Sequence, residues 1–224
     1  MGALVEHGIV QSYLDDHCNY TDYMLCEYKD SLPDKAWMFL WNEDSPFYKM
    51  GGWSGTKEEF NEIIFNTITT PKYIGLHIKE SLKATADQLT KFKIGDGNGA
   101  FGEETLLYKR ISKYFEHEIS TYESSLQNNQ NFSFLSWYNA ILIIIILISI
   151  ISLLIVFYKL GNLDKKLLSV ISIVILGIII NAWVCGTMAN AIDRLGTKVI
   201  WLLPLMALIG TLNIWNKRAF ANKT

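Results

Sequence analysis

The chain reads as an all-α protein: a helical polar domain over residues 1–136, then three transmembrane helices within 137–224. Three observations carry that reading. Apolar runs occupy residues 140–157 (AILIIIILISIISLLIVF), 167–184 (LLSVISIVILGIIINAWV) and 199–214 (VIWLLPLMALIGTLNI). The first has 18 residues and no charge, about 27 Å as a helix against a hydrocarbon core of about 30 Å. Backbone polar groups in lipid must be bonded internally, and no run alternates at period two as barrel strands do. Upstream, apolar residues recur at helical spacing between polar stretches.

Taken in order, Leu4, Val5, Ile9, Val10, Tyr13 and Leu14 predict one amphipathic helix. Cys18 and Cys26 follow in a short polar stretch, HCNYTDYMLC. Residues 32–55 (LPDKAWMFLWNEDSPFYKMGGWSG) mix three tryptophans with Pro33, Pro46 and Gly51-Gly52 and are expected to be an irregular insert. Aromatic rather than polar loops tend to pack as lids, binding loops or membrane contacts, so Trp37, Trp41 and Trp53 are candidate contact residues. The other reading is that the insert's aromatics complete the core. Thr56 and Glu59 have capping-box spacing and predict a helix start, with Phe60, Ile63, Ile64 and Ile68 inward. Pro71 suits the first turn of the next helix, whose predicted inward stack is Ile74, Ile78, Leu82, Ala86, Leu89 and Phe92. The run Gly95-Asp96-Gly97-Asn98-Gly99 should stop it. A fourth helix is expected from about Glu103 to Leu126, and residues 127–131 (QNNQN) form a polar linker into the first span.

Charge and composition exclude some functions. A net charge of −2 gives no basic surface for nucleic acid. A mean hydropathy of +0.17 averages a watery domain with a membrane domain. The aromatics Trp37, Phe39, Trp41, Phe47, Tyr48 and Trp53 are too many for a disordered tail.

Orientation follows from loop charge. Lys159, Lys165, Lys166, Lys217, Arg218 and Lys223 flank the spans on one side, and only Arg194 and Lys198 on the other. The positive-inside rule then places the C-terminus in the cytoplasm and residues 1–136 outside. Trp137, Tyr138, Trp183 and Trp201 would sit at the outer interface, with Trp215 at the inner one. In an oxidising compartment Cys18 and Cys26 are expected to pair, for roughly 2–3 kcal/mol of loop-closure stabilisation. Their spacing with His17 fits no zinc motif, and Cys185 is read as a buried thiol. Residues 1–4 lack the basic and apolar regions of a signal peptide. The chain is therefore expected to be the C-terminal part of a longer multi-span protein.

Chemistry is sparse. GDGNG lacks the P-loop ending and the EF-hand ligand set, so no metal and no cofactor are expected. His7, His77 and His117 fall on predicted helices without partners at metal spacing, and no nucleophile elbow appears. The better candidates are Asp193, Arg194 and Lys198 in a short loop, and Asn181 inside the second span, where an amide needs a bonded partner. Pro204 should break the third span's hydrogen-bond ladder.

LVEHGIVQSYLDDHC…LCEYKDSLP…FLW…DSPFYKMGGW and NAWVCGTMANAIDRLGTKVIWLLPL together resemble a group of uncharacterised bacterial polytopic inner-membrane proteins. In these a two-cysteine extracytoplasmic helical segment precedes C-terminal spans and an N-x-x-V-C-G…D-R…V-x-W-L-x-P signature. Here that signature falls on Asn181, Val184, Cys185, Gly186, Asp193, Arg194, Lys198, Val199, Trp201, Leu202 and Pro204. The chain departs from the group after Arg194, with Leu195-Gly196 in place of Tyr-Gln. The resemblance implies a bacterial plasma-membrane location and a longer N-terminus, and it implies no activity. Two functions compete on these residues. One is a cell-envelope membrane protein whose outer domain contacts a partner or substrate, the partners being the bilayer, other membrane proteins or a lipid-linked molecule. The other is the C-terminal part of a transferase acting on a lipid-linked or envelope substrate.

Overall fold

The computed structural model describes residues 1–158 and 164–221, the side chains of Leu106 and of residues 217–221 excepted. Of the charges that set the orientation, Lys159 and Lys223 lie outside the described residues. Helices are the regular structure of the described residues, with no strand among them, as the periodicity predicts. They form two compact units. One joins residues 1–88 to 181–191, and the other joins 89–158 and 164–180 to 192–221.

The first unit begins with α1 (Gly2–Glu6) and α2 (Ile9–His17). The single helix expected over residues 4–14 is broken at Gly8, whose φ of +68° lies in the left-handed region that glycine enters without steric cost. Both pieces still turn the expected face inward: Val5, Ile9, Val10, Tyr13 and Leu14 are buried. A disulfide ties Cys18, just after α2, to Cys26 in a 3-10 helix, Met24–Ser31, with Cα atoms 5.6 Å apart.

The insert is more regular than expected. It folds into α3 (Ala36–Trp41) and α4 (Pro46–Lys49), and α5 (Gly52–Thr69) already begins inside it. Proline at the first position of α4 costs no hydrogen bond there. The insert's aromatics divide in two: Phe39 and Phe47 enter the core beside Phe60, while Trp37, Trp41 and Trp53 stay exposed.

The capping box is not formed. Because α5 starts at Gly52, Thr56 is interior and its hydroxyl donates to the Gly52 carbonyl (2.8 Å). Glu59 reaches elsewhere: its carboxylate accepts from the N–H groups of Met24 (2.8 Å) and Leu25 (3.0 Å), capping the 3-10 helix that carries Cys26.

Helix α6 (Pro71–Thr90) starts at Pro71 as expected, ends before Phe92, which the expected stack included, and faces the opposite way. Tyr73, Ala84 and Gln88 are its buried residues, whereas Ile74, Ile78 and Leu82 are exposed. The inward stripe is small or polar because its partners are polar. The Tyr73 hydroxyl donates to Asp16 (2.5 Å), and Lys72 pairs with the same carboxylate. These two groups, Lys72 first, hold the Asp16 carboxyl below its ordinary range.

In the second unit the helix expected over 103–126 is broken into α7 (Leu106–Tyr114), a 3-10 turn at Glu116–Glu118 and α8 (Ile119–Glu123). The Tyr108 hydroxyl donates to Glu123 (2.6 Å), which pushes the phenol up to about 12. The three spans are α9 (Ser133–Tyr158), α10 (Lys165–Met188) and the pair α11 (Asp193–Ile200) with α12 (Leu202–Ala221). Each is long and apolar enough to cross a bilayer. The third hesitates at Trp201, and Pro204 lies in the first turn of α12. Leu153 and Val156 of α9, Ile171 of α10, and Met206, Ala207 and Ile214 of α12 pack together.

Candidate functional site

The residues singled out from sequence take separate places. In the second unit Asp193 opens α11, and its carboxylate accepts from the Lys93 N–H (2.8 Å). The Arg194 N–H donates to Asp96 (3.1 Å), and Thr197 donates to the Lys93 carbonyl (3.1 Å). Asn139 of α9 both donates to and accepts from the backbone of Ile94 (3.0 and 2.7 Å). The glycine-rich turn is therefore a clasp across the start of α9 and the start of α11. Lys198 is exposed, and its carbonyl accepts from the Trp201 indole (2.9 Å). In the first unit Asn181 accepts from the Cys185 thiol (3.8 Å). Trp37 and Trp41 project from α3, and Trp53 of α5 meets Phe47 edge-on at 4.9 Å.

The first unit also holds a site that sequence reasoning passed over. Its wall is the C-terminal end of α10. There Ser81 of α6 accepts from the Trp183 indole (2.7 Å) and pairs with the Thr187 hydroxyl (3.1 Å). Gly186 lies against Ala84 so closely that a Cβ would sit 2.5 Å from the Ala84 carbonyl oxygen. Small residues allow this approach of backbones.

Two cavities adjoin at that wall and share His7 and Glu80. The first, about 420 Å³, is lined by charges: Glu6, Lys35, Glu80, Lys83 and Asp87, with Gly186 and Ala191 closing it. The second, about 310 Å³, is mainly apolar, with Leu4, Ile9, Ile64, Ile68 and Met188 around His77. Glu6 is fixed by the Lys35 ammonium (3.2 Å) and by the N–H of Ala36 at the start of α3 (3.0 Å). Asn190, in the orientation that satisfies both its amide atoms, donates to Glu6 as well (3.0 Å). Glu80 lies 3.5 Å from Lys83 and 3.7 Å from Lys79.

The Nε2 atoms of His7 and His77 are both buried without a hydrogen-bond partner. Burial first, and then like-charge repulsion from His7, lowers the pKa of His77. A neutral imidazole with an unpaired ring nitrogen can accept or donate one hydrogen bond to a ligand. Among the described residues no group of three or more histidine, cysteine or acidic side chains is placed to hold a metal. The sequence holds no local signal for this site, because its lining comes from residues 1–9, 35, 64–68, 77–87 and 186–191. The nearest cue is His77 three residues before Glu80, a spacing that shares a helix face. Compared with known protein families, curated proteins and solved structures, the chain matches none.

Proposed function

We propose that this is an integral membrane protein of the cell envelope whose helical domain, on the outer side of a bacterial plasma membrane, binds a membrane-borne amphiphile. The ligand class is a phosphate-bearing head joined to a hydrocarbon tail. One observation carries the reading: a charged cavity and an apolar cavity share His7 and Glu80 at the end of a membrane-spanning helix. Lys35 and Lys83 suit the phosphate, the carboxylates suit hydroxyl or amino groups of the head, and the apolar chamber suits the start of the tail.

The loop-charge bias supports the orientation, and the resemblance supports reading the chain as the C-terminal part of a longer multi-span protein. Exposed Trp37, Trp41 and Trp53 form a further contact surface on that domain. Asp193, Arg194 and Lys198 are proposed headgroup neighbours at the start of the third span, and Asn181 a polar contact within the second.

The transferase reading has one specific observation in its favour. His77, neutral and unpaired beside Glu80, is suited to accept a proton from a substrate hydroxyl.

Native mass spectrometry of the full chain in mild detergent tests the binding claim. Wild type should keep an adduct with the mass of a phosphorus-bearing amphiphile. Lys83→Glu and Ile64→Trp should each lose it severalfold. The adduct mass separates a phospholipid from a lipid-linked saccharide. Equal adducts in all three proteins would overturn the reading.

A further inference from the structure

Helix α6 carries its apolar stripe outward. Ile74, Ile78 and Leu82 succeed one another at i, i+4 spacing on one face and are 37%, 59% and 67% exposed. A continuous apolar stripe left in water is costly, and one of this kind marks a surface that something covers. Two observations say what covers it.

First, the stripe is anchored to a membrane-spanning helix. Ser81, next to Leu82, is bonded to Trp183 and Thr187 near the end of α10, and Ala84 lies against Gly186. A tryptophan near the end of a span sits at headgroup level, so this part of α6 is held at the depth where headgroups meet acyl chains. Second, the stripe is bordered by cations. Lys79 and Lys83 extend from the same turns, with side chains 74% and 78% exposed, and each pairs with Glu80. Lysines bordering an apolar stripe are the pattern of an interfacial helix, in which the stems lie on the apolar surface and the ammonium groups meet lipid phosphates.

We propose that the Ile74, Ile78 and Leu82 face of α6 lies in the headgroup–acyl boundary of the membrane, held there by an anionic phospholipid surface. This goes beyond the ligand of the cavities: it shares Lys83 with the charged cavity, but the stripe residues Ile74, Ile78 and Leu82 line neither cavity. The helix that walls both cavities is thereby pressed onto the bilayer from which a membrane-borne ligand would enter.

The test uses the full chain carrying Cys185→Ser, with a nitroxide on a single new cysteine at Ile78→Cys or Leu82→Cys. It is reconstituted in liposomes of three parts phosphatidylcholine to one part phosphatidylglycerol. Tyr20→Cys, at a position 86% exposed, is the water control. Collision with apolar oxygen should exceed collision with a water-soluble nickel chelate at 78 and 82, and the order should reverse at 20. Nickel-dominated collisions at 78 and 82 would show the stripe in water and overturn the proposal. Low collision with both reagents would show protein covering the stripe, and would overturn it equally.

Discussion

Replacing Gly186 by alanine tests the contact that holds α6 to the end of α10. The added methyl would sit 2.5 Å from the Ala84 carbonyl oxygen and 2.9 Å from its carbon, where ordinary contact begins at 3.4 Å. Both atoms are backbone, so no side chain can rotate away. Relief requires the helices to part by about 0.9 Å, and overpacking of this kind costs about 1–3 kcal/mol. The same displacement along the Ser81–Trp183 bond would stretch it from 2.7 Å to about 3.6 Å and break it. Gly177, in the same helix with nothing within 4 Å of its Cβ position, is the internal control. Hydrogen exchange followed by mass spectrometry on the full chain in detergent reads the effect directly. Loss of 1–3 kcal/mol of local stability corresponds to roughly 5–150-fold faster exchange in peptides of α6. Gly177→Ala should leave those peptides unchanged. Equal exchange in wild type, Gly177→Ala and Gly186→Ala would refute the close docking.

Other substitutions follow from the same contacts. Glu59→Ala removes the acceptor of the Met24 and Leu25 N–H groups, hydrogen bonds to a charge worth roughly 1.5–3 kcal/mol each at most, and should speed exchange in residues 24–31 far more than Glu58→Ala does. Cys18→Ala should lower the domain's thermal midpoint by the equivalent of roughly 2–3 kcal/mol and leave the helical content of the spans unchanged. Asp96→Ala should open the clasp at residues 93–97, whereas Arg194→Ala should keep it, since Arg194 contributes its backbone N–H there. The lowered pKa of His77 means the fold favours its neutral form. Its contribution to stability is therefore complete above the ordinary histidine value of about 6.5 and is lost as pH falls below that value. Thermal midpoints should drop between neutral and mildly acid pH in wild type, and drop less in His77→Gln.

What was legible in the sequence is what short, contiguous stretches determine. The three spans declare themselves because lipid forces every backbone bond to be local. Cys18 and Cys26 pair across a short separation, and the face of Val5, Ile9, Val10, Tyr13 and Leu14 is buried as its spacing demands. Readings failed where a distant partner decided the outcome. Glu59 has capping-box spacing to Thr56, yet it serves Met24 and Leu25, more than thirty residues away. Helix α6 looks apolar-face-in by periodicity. It turns its small and polar face inward because Asp16 and the end of α10 offer hydrogen bonds there and close backbone contact at Gly186. Phe39 and Phe47 separate from Trp37 and Trp41 only because short helices form within the insert, which its prolines and glycines conceal. The paired cavities were invisible for the same reason: His7, His77 and Glu80 meet only after the fold has brought α1 and α6 together with residues 186–191.

The most direct test of the central claim is to ask the apolar cavity what it touches. A photoreactive benzoylphenylalanine replacing Ile64, which lines that cavity beside His77, can be irradiated in the full chain within its native membrane. A covalent adduct of lipid mass that carries phosphorus is expected at position 64, and none from the same group placed at Tyr20. An adduct to protein at position 64, or lipid adducts equal at both positions, would contradict it.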